Sequence, residues 1–278
     1  MFGFGKRKKP SISVITWDAS FRDFFHTVDC FGSQNFPKED YEFIWVDFYR
    51  NHNPQLLQKI SQYPNARLLN LDHDQSTQWH LGKCVNAGIA EARGEILVIP
   101  DGDITADADL LDAIRREHAE YKDLVLYFRR WDEPSEKHDA HQSYQLDYLQ
   151  RVCELTNATN YGGLISLKRQ TLQQVNNYEE HCVFAGPGAN GLELYLRLRN
   201  KGLPIKWHTK KIFHPFHENT GTSSTDRAAM EQLAKMHPWI NPYSGIEQSW
   251  VLKCRNLDLS CEANTGYIDQ CLEHIPTL

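Results

Sequence analysis

Residues 11–16 (SISVIT), 41–47 (YEFIWVD), 66–71 (ARLLNL) and 95–100 (EILVIP) are strand-length runs rich in apolar and β-branched side chains. Segments with apolar residues at helical spacing, 19–32, 54–62 and 80–92, separate them. This alternation is the strongest constraint on the fold. Strands rejoined in parallel need long crossovers, usually helical, and such crossovers are right-handed. The pattern therefore predicts an α/β fold with a mostly parallel central sheet and helices on both faces. The fourth run is nearly all apolar, as a strand covered on both faces requires. Ligands of such sheets bind beyond the carboxyl ends of the strands. An aspartate stands at or just after each run: Asp18, Asp47, Asp72 and Asp101. A single aspartate there is an ordinary turn former; four point to a polar rim.

The later chain continues with a helix over 107–121, a strand over 124–130 and a polar, poorly periodic excursion over 131–150. A strand over 161–167, a short helix over 169–175 and an amphipathic helix over 192–200 follow. Gly202 and Pro204 stop that last helix, and 205–213 is strand-like. From about Ser223 onward the chain reads as partly helical.

Hydrophobic residues make up 41% and charged residues 24%, enough for a packed core, and the net charge of −6 supplies no basic field for nucleic acid. No apolar run reaches the length of a membrane-spanning helix. The seven cysteines are scattered and odd in number, without a Cys-x-x-Cys pair. Reduced thiols in a cytoplasmic protein are the expectation. Residues 1–10 carry Lys6, Arg7, Lys8 and Lys9 in a row. The plain reading is a solvated, flexible terminus. The second is a peripheral footing on the inner face of an anionic membrane, worth about 1 kcal/mol per basic residue.

Directly after EILVIP comes Asp101-Gly102-Asp103. Two carboxylates on a tight turn can face one cation, and hard oxygens suit Mg²⁺ or Mn²⁺, which in turn hold a diphosphate. Taken alone, the triplet is equally a solvated turn.

Its surroundings are more specific. Lys83-Cys84-Val85-Asn86-Ala87-Gly88-Ile89, then Ala92-Arg93-Gly94-Glu95, the strand and Asp-Gly-Asp resemble the core of glycosyltransferase family 2 and of the related β-1,4-galactosyltransferases, which share a GT-A fold. Gly162-Gly163-Leu164-Ile165-Ser166-Leu167-Lys168-Arg169, then Val175-Asn176-Asn177-Tyr178, then Glu193-Leu194-Tyr195-Leu196-Arg197-Leu198 resemble the acceptor-side segment of those enzymes. His214-Pro215-Phe216-His217 is similar to the His-x-x-His near the end of many such domains. These blocks span roughly residues 11–220, in the family's order.

The resemblance implies a GT-A domain over 11–222, with a nucleotide-sugar half (11–106) and an acceptor half (107–222), followed by an extension over 223–278 packed on it. It implies metal-dependent transfer of a sugar, with inversion, from a nucleotide-sugar donor, a UDP-sugar first, to a glycan, glycolipid or other hydroxyl acceptor. Asp101 and Asp103 would bind metal and diphosphate, with His214 or His217 as a further ligand; imidazole favours Mn²⁺ over Mg²⁺. Asp18, Asp47, Lys83, Asn86 and Gly102 fall on the nucleotide side. Asp47 matches the family aspartate that contacts base or ribose, although Phe48-Tyr49-Arg50 replaces the usual Asp-Asp-Gly-Ser. Gly162, Gly163 and Asn190 fall on the acceptor side. Among the seven tryptophans, mostly expected in the core, Trp131 in the polar excursion is the candidate substrate contact.

The clearest departure concerns the catalytic base. Where the family carries an acidic pair, this chain has Ala189-Asn190-Gly191-Leu192-Glu193-Leu194. Glu193 is the candidate base from one turn further along. Asp132, Glu133, Glu136 or Asp139 could act instead, Glu193 could be structural, or transfer could be slow or absent. A degenerate module that binds a sugar nucleotide or glycan is therefore a rival reading. A sugar nucleotidyltransferase is a weaker one, because residues 11–19 lack the glycine-rich basic loop such enzymes place after the first strand.

Overall fold

The computed structural model describes residues 9–180, 185–186 and 190–218, the Asn200 side chain excepted. The expectations for Lys6 to Lys8 and for the 223–278 extension lie outside these residues; Lys9 is exposed. The sheet orders its strands as β3-β2-β1-β4-β7-β6-β8-β5. In chain order these are β1 (Ile12–Asp18), β2 (Tyr41–Tyr49), β3 (Ala66–His73), β4 (Ile96–Pro100), β5 (Thr105–Ala106), β6 (Val125–Asp132), β7 (Leu164–Lys168) and β8 (Ile205–His214). The helices are α1 (His26–Gly32), α2 (Pro54–Ile60), α3 (Leu81–Glu91), α4 (Leu110–Glu120), α5 (Leu146–Val152), α6 (Arg169–Gln173) and α7 (Asn190–Asn200).

Side chains of successive strand residues point to opposite faces, and here each face meets its own helical layer. Val14, Phe43 and Trp45 join Val28, Phe31, Leu56 and Ile114 of α1, α2 and α4 in one core. Ile15, Ile44 and Val46 join Val85, Ile89, Leu172 and Leu194 of α3, α6 and α7 in the other. Local chemistry starts the helices as well. In α2, Asn53 accepts a hydrogen bond from the Gln55 N–H, and Pro54 occupies the first turn.

Topology then collects the site. β1 pairs in parallel with β2 and β4. β7 lies antiparallel to both β4 and β6, so β6 regains the direction of β4, and β8 runs parallel to β6. The carboxyl ends of β1, β2, β4, β6 and β8 therefore share one rim. Asp18 is level with Asp47, and Asp132 is level with His214.

Four differences from the sequence reading have local causes. The helix expected over 19–32 begins only at His26, because Ser20 adopts a left-handed φ of 57° and residues 19–25 cross the rim as a loop. β5 has two residues, too few for any periodicity to register. The excursion over 131–150 is partly ordered: Trp131 and Asp132 end β6, a 3₁₀ turn spans Ser135–Lys137, and α5 begins at Leu146. Asp72 lies inside β3, exposed and ion-paired with Arg50, so three of the four aspartates form the rim.

Candidate functional site

The turn after β4 is held by the Asp101 N–H donating to the Gly163 carbonyl at 3.0 Å. Its two carboxylates part company. Asp103 meets the end of β8: its oxygens lie 3.6 Å from His214 Nε2 and 3.6 Å from His217 Nε2. The two imidazole nitrogens are 3.1 Å apart, and ligand atoms of Asp103, His214 and His217 all fall within 4.8 Å of one another. Asp101 is turned instead toward Arg130, 3.7 Å away, and toward Gly162. The structure thus brings one aspartate of the triplet, rather than both, into the histidine cluster.

The cluster fits a divalent cation. Asp103 Oδ1 is buried and has no hydrogen-bond partner among the described residues, with His214 Nε2 the cationic neighbour at 3.6 Å, so a cation placed there would complete its contacts. One carboxylate and two imidazoles form a donor set able to hold a divalent transition-metal ion. The Asp132 carboxylate orients His214 by approaching its Nδ1 at 3.2 Å, as outer carboxylates do for ligating histidines. Burial works against charge on His214, yet Asp103 and Asp132 together raise its pKa to about 9. Burial likewise opposes ionisation of Asp103, but Arg22 and His214 outweigh it and hold the carboxyl well below its usual range. Desolvation of the half-buried Asp101 carboxyl, then the charge of Asp103, pushes its pKa up to about 7.

Of the residues expected to face a nucleotide, Asp18 and Asp47 are buried next to each other at the ends of β1 and β2. Burial, then the proximity of Asp18, raises the Asp47 pKa to about 7. Lys83 is exposed on the first turn of α3. Asn86 is turned to the loop before α7: its amide donates to the Tyr178 carbonyl at 2.9 Å and accepts from the Tyr178 N–H at 3.0 Å.

Of the residues expected to face an acceptor, Gly162 and Gly163 lie just before β7, beside Asp101. Asn190 is buried at the head of α7. Glu193 is also buried, and its carboxylate is held by the Arg197 guanidinium, Nη2 to Oε2 at 2.7 Å. Trp131 belongs to β6 rather than to a polar loop. It packs on Leu149, Cys153 and Phe213, with the Lys211 ammonium 3.5 Å from its ring centre. Of the other carboxylates considered, Glu133 is buried and receives the Phe216 N–H at 2.8 Å and the Ser143 hydroxyl at 2.6 Å, tying the excursion to the His214–His217 segment. Asp139 caps its own turn, and Glu136 is exposed.

Sequence reasoning missed Arg22 and His26, which line a cavity of about 250 Å³ with Asp103, Tyr144, Phe216 and His217. No local pattern marks either residue; the loop after β1 is placed only by what it packs against.

No family model matches the chain, and no curated protein matches it. Solved structures do. A mannosyltransferase from Pyrobaculum calidifontis in complex with GDP-Man and Mn²⁺ is 12% identical, with 95% of this chain and 69% of that one covered and a TM-score of 0.53. S. aureus TarS in complex with UDP-GlcNAc is 14% identical, with coverages of 94% and 81% and a TM-score of 0.57. The fold of this chain is the GT-A fold of those glycosyltransferases.

Proposed function

We propose that the protein is a metal-dependent glycosyltransferase that moves a sugar from a nucleotide-sugar donor, a UDP-sugar first, to a hydroxyl of a glycan or glycolipid. The observation that carries this is the Asp103–His214–His217 cluster on the carboxyl rim of a GT-A sheet. These three residues would hold Mn²⁺ in preference to Mg²⁺; when bound, the ion offers Lewis-acid stabilisation of a leaving diphosphate. Asp18 and Asp47 line the rim where base or ribose would sit, and Lys83 stands on the helix beside it. Gly162, without a side chain, leaves room for an acceptor next to Asp101, while the absence of a side chain on Gly163 lets Ile212 and Arg130 pack against it; Asn190 stands at the head of α7. We assign Glu193 a positioning role, because its carboxylate is committed to Arg197.

The test is thermal denaturation with UDP-GlcNAc, GDP-mannose and related donors, with and without Mn²⁺. A ligand at 100 times its Kd stabilises by about 2.7 kcal/mol. A metal-dependent shift with at least one donor is expected, and Asp103→Ala is expected to abolish it. Silence of the wild type toward every donor with Mn²⁺ overturns the reading.

One observation favours a second reading. Asn190-Gly191 replaces the acidic pair, and the next carboxylate along the helix, Glu193, is neutralised by Arg197. A donor-binding module without transfer activity would look like this. Donor binding with no hydrolysis and no transfer across an acceptor panel would establish it.

A further inference from the structure

β8 ends at His214, so Pro215, Phe216 and His217 lie beyond the ladder. The His217 side chain is half exposed, and packing around the ring does little to fix it. The distance between the two imidazoles therefore depends on what holds this short turn. Proline has a fixed φ and no N–H to give, which leaves the Phe216 N–H as the first donor after His214. One residue grips the chain on both sides of Pro215. The Glu133 N–H donates to the His214 carbonyl at 3.0 Å, and Glu133 Oε2 accepts from the Phe216 N–H at 2.8 Å. Its neighbour Asp132, the last residue of β6, meets the His214 ring at Nδ1. Asp132 thus orients one ring, whereas Glu133 fixes the backbone that joins both.

The Glu133 side chain is fully buried. Its Oε1 accepts from the Ser143 hydroxyl at 2.6 Å, and His138 Nδ1 approaches Oε2 at 3.2 Å. Among the described residues, that histidine is the one ion-pair partner of the carboxyl group. Burying a carboxyl group so far from lysine and arginine is costly, and apolar packing would fasten a turn more cheaply. What the carboxyl group adds is direction: an oxygen aimed at the one backbone donor midway between two histidines. The His138 ring, centred 5.6 Å from that of Phe216, packs on the same turn.

We propose that Glu133 is a positioning residue for the metal: by fixing the turn between His214 and His217 it sets the spacing of the two imidazoles beside Asp103, and with it the affinity for a divalent ion. This rests on the metal-site reading above. Ligands arranged before the ion arrives lose less freedom on binding it.

The experiment measures Mn²⁺ affinity by electron paramagnetic resonance on wild type, Glu133→Ala, Glu133→Asp, Glu133→Gln and Ser143→Ala, alongside the Tm of each metal-free protein. Outer partners of metal ligands are worth roughly 10- to 100-fold in affinity. A loss of that size is expected for Ala, and for Asp, whose shorter side chain keeps the charge but draws its oxygens back from Phe216. Gln still offers an oxygen to the Phe216 N–H and should bind the ion more tightly than either. Ser143→Ala leaves the turn tied and should bind it nearly as wild type does. A merely structural Glu133 would lower the metal-free Tm and leave the folded protein's Mn²⁺ affinity within about twofold of wild type; that result overturns the proposal. So does Ser143→Ala weakening the ion as far as Glu133→Ala, the mark of general loosening. Should the Ala variant not fold, Asp binding Mn²⁺ as tightly as Gln overturns it. A wild type that binds Mn²⁺ no better than Asp103→Ala removes the metal-site reading and this inference with it.

Discussion

Ser20 has one hydroxyl proton and three oxygens around it: the Asp47 carboxylate oxygens at 3.0 and 3.1 Å and the Asn51 carbonyl at 2.6 Å. One proton serves one of them. A protonated Asp47 resolves the shortage, its own O–H donating to Ser20 while Ser20 donates to Asn51. That chain agrees with the rise of the Asp47 pKa to about 7 through burial and the nearby Asp18. In the unfolded chain the same carboxyl ionises near 3.8, so between these values the folded state binds more protons. The stabilisation from this site is complete below the unfolded value and is lost as pH rises through 7. Asp47→Asn, which mimics the protonated form, is therefore expected to gain about 1–3 kcal/mol over wild type at pH 8. Urea denaturation should show the gain vanish near pH 4. A constant difference across pH would refute the argument.

α7 depends on an ion pair spaced for a helix. Glu193 and Arg197 are four residues apart and both about 1% exposed. Arg197 also donates to the carbonyls of Val175 and Asn177, fastening the helix to a loop in which Asn176 and Asn177 adopt left-handed φ values of 61° and 60°. At the helix head, a Cβ on Gly191 would meet the Tyr161 carbonyl carbon at 2.8 Å, so the backbone there closes on the turn that precedes β7. Neutralising one partner of a buried pair strands the other charge. Glu193→Gln is therefore expected to cost about 3–5 kcal/mol in chemical denaturation, and adding Arg197→Met should recover much of it. A catalytic base would behave otherwise, losing turnover with stability intact.

At the scale of the molecule the two ends of the sheet do different work. The carboxyl rim gathers charge that a ligand would have to balance. At the amino end, buried Glu42 is satisfied internally by the Ser13 hydroxyl at 2.8 Å and by the backbone N–H and the Nε of Arg93 at 2.6 and 3.0 Å. Glu42→Ala is expected to lower stability by about 1–3 kcal/mol while leaving the nucleotide-induced rise in Tm unchanged; a lost nucleotide response would show the ends to be coupled. The strand and helix signals were readable along the chain because burial on alternate faces imposes a period of two, and helical packing its own period, on contiguous residues. Direction was readable too, since helical crossovers between runs force parallel pairing, and the order of the motif blocks carried the GT-A expectation. The order of signals along the chain was thus enough for the architecture and for a rim with Asp18, Asp47 and Asp101 at strand ends, whereas Asp72, expected there as well, lies within β3 and pairs with Arg50. Packing in three dimensions settled the rest: Asp103 joins the histidines while Asp101 turns to Arg130, Trp131 is packed in a strand, and Arg22 reaches Asp103 across 81 positions. Those outcomes depend on which side chains compete for the same few ångströms, and contacts between residues far apart in the chain leave no periodic trace in it.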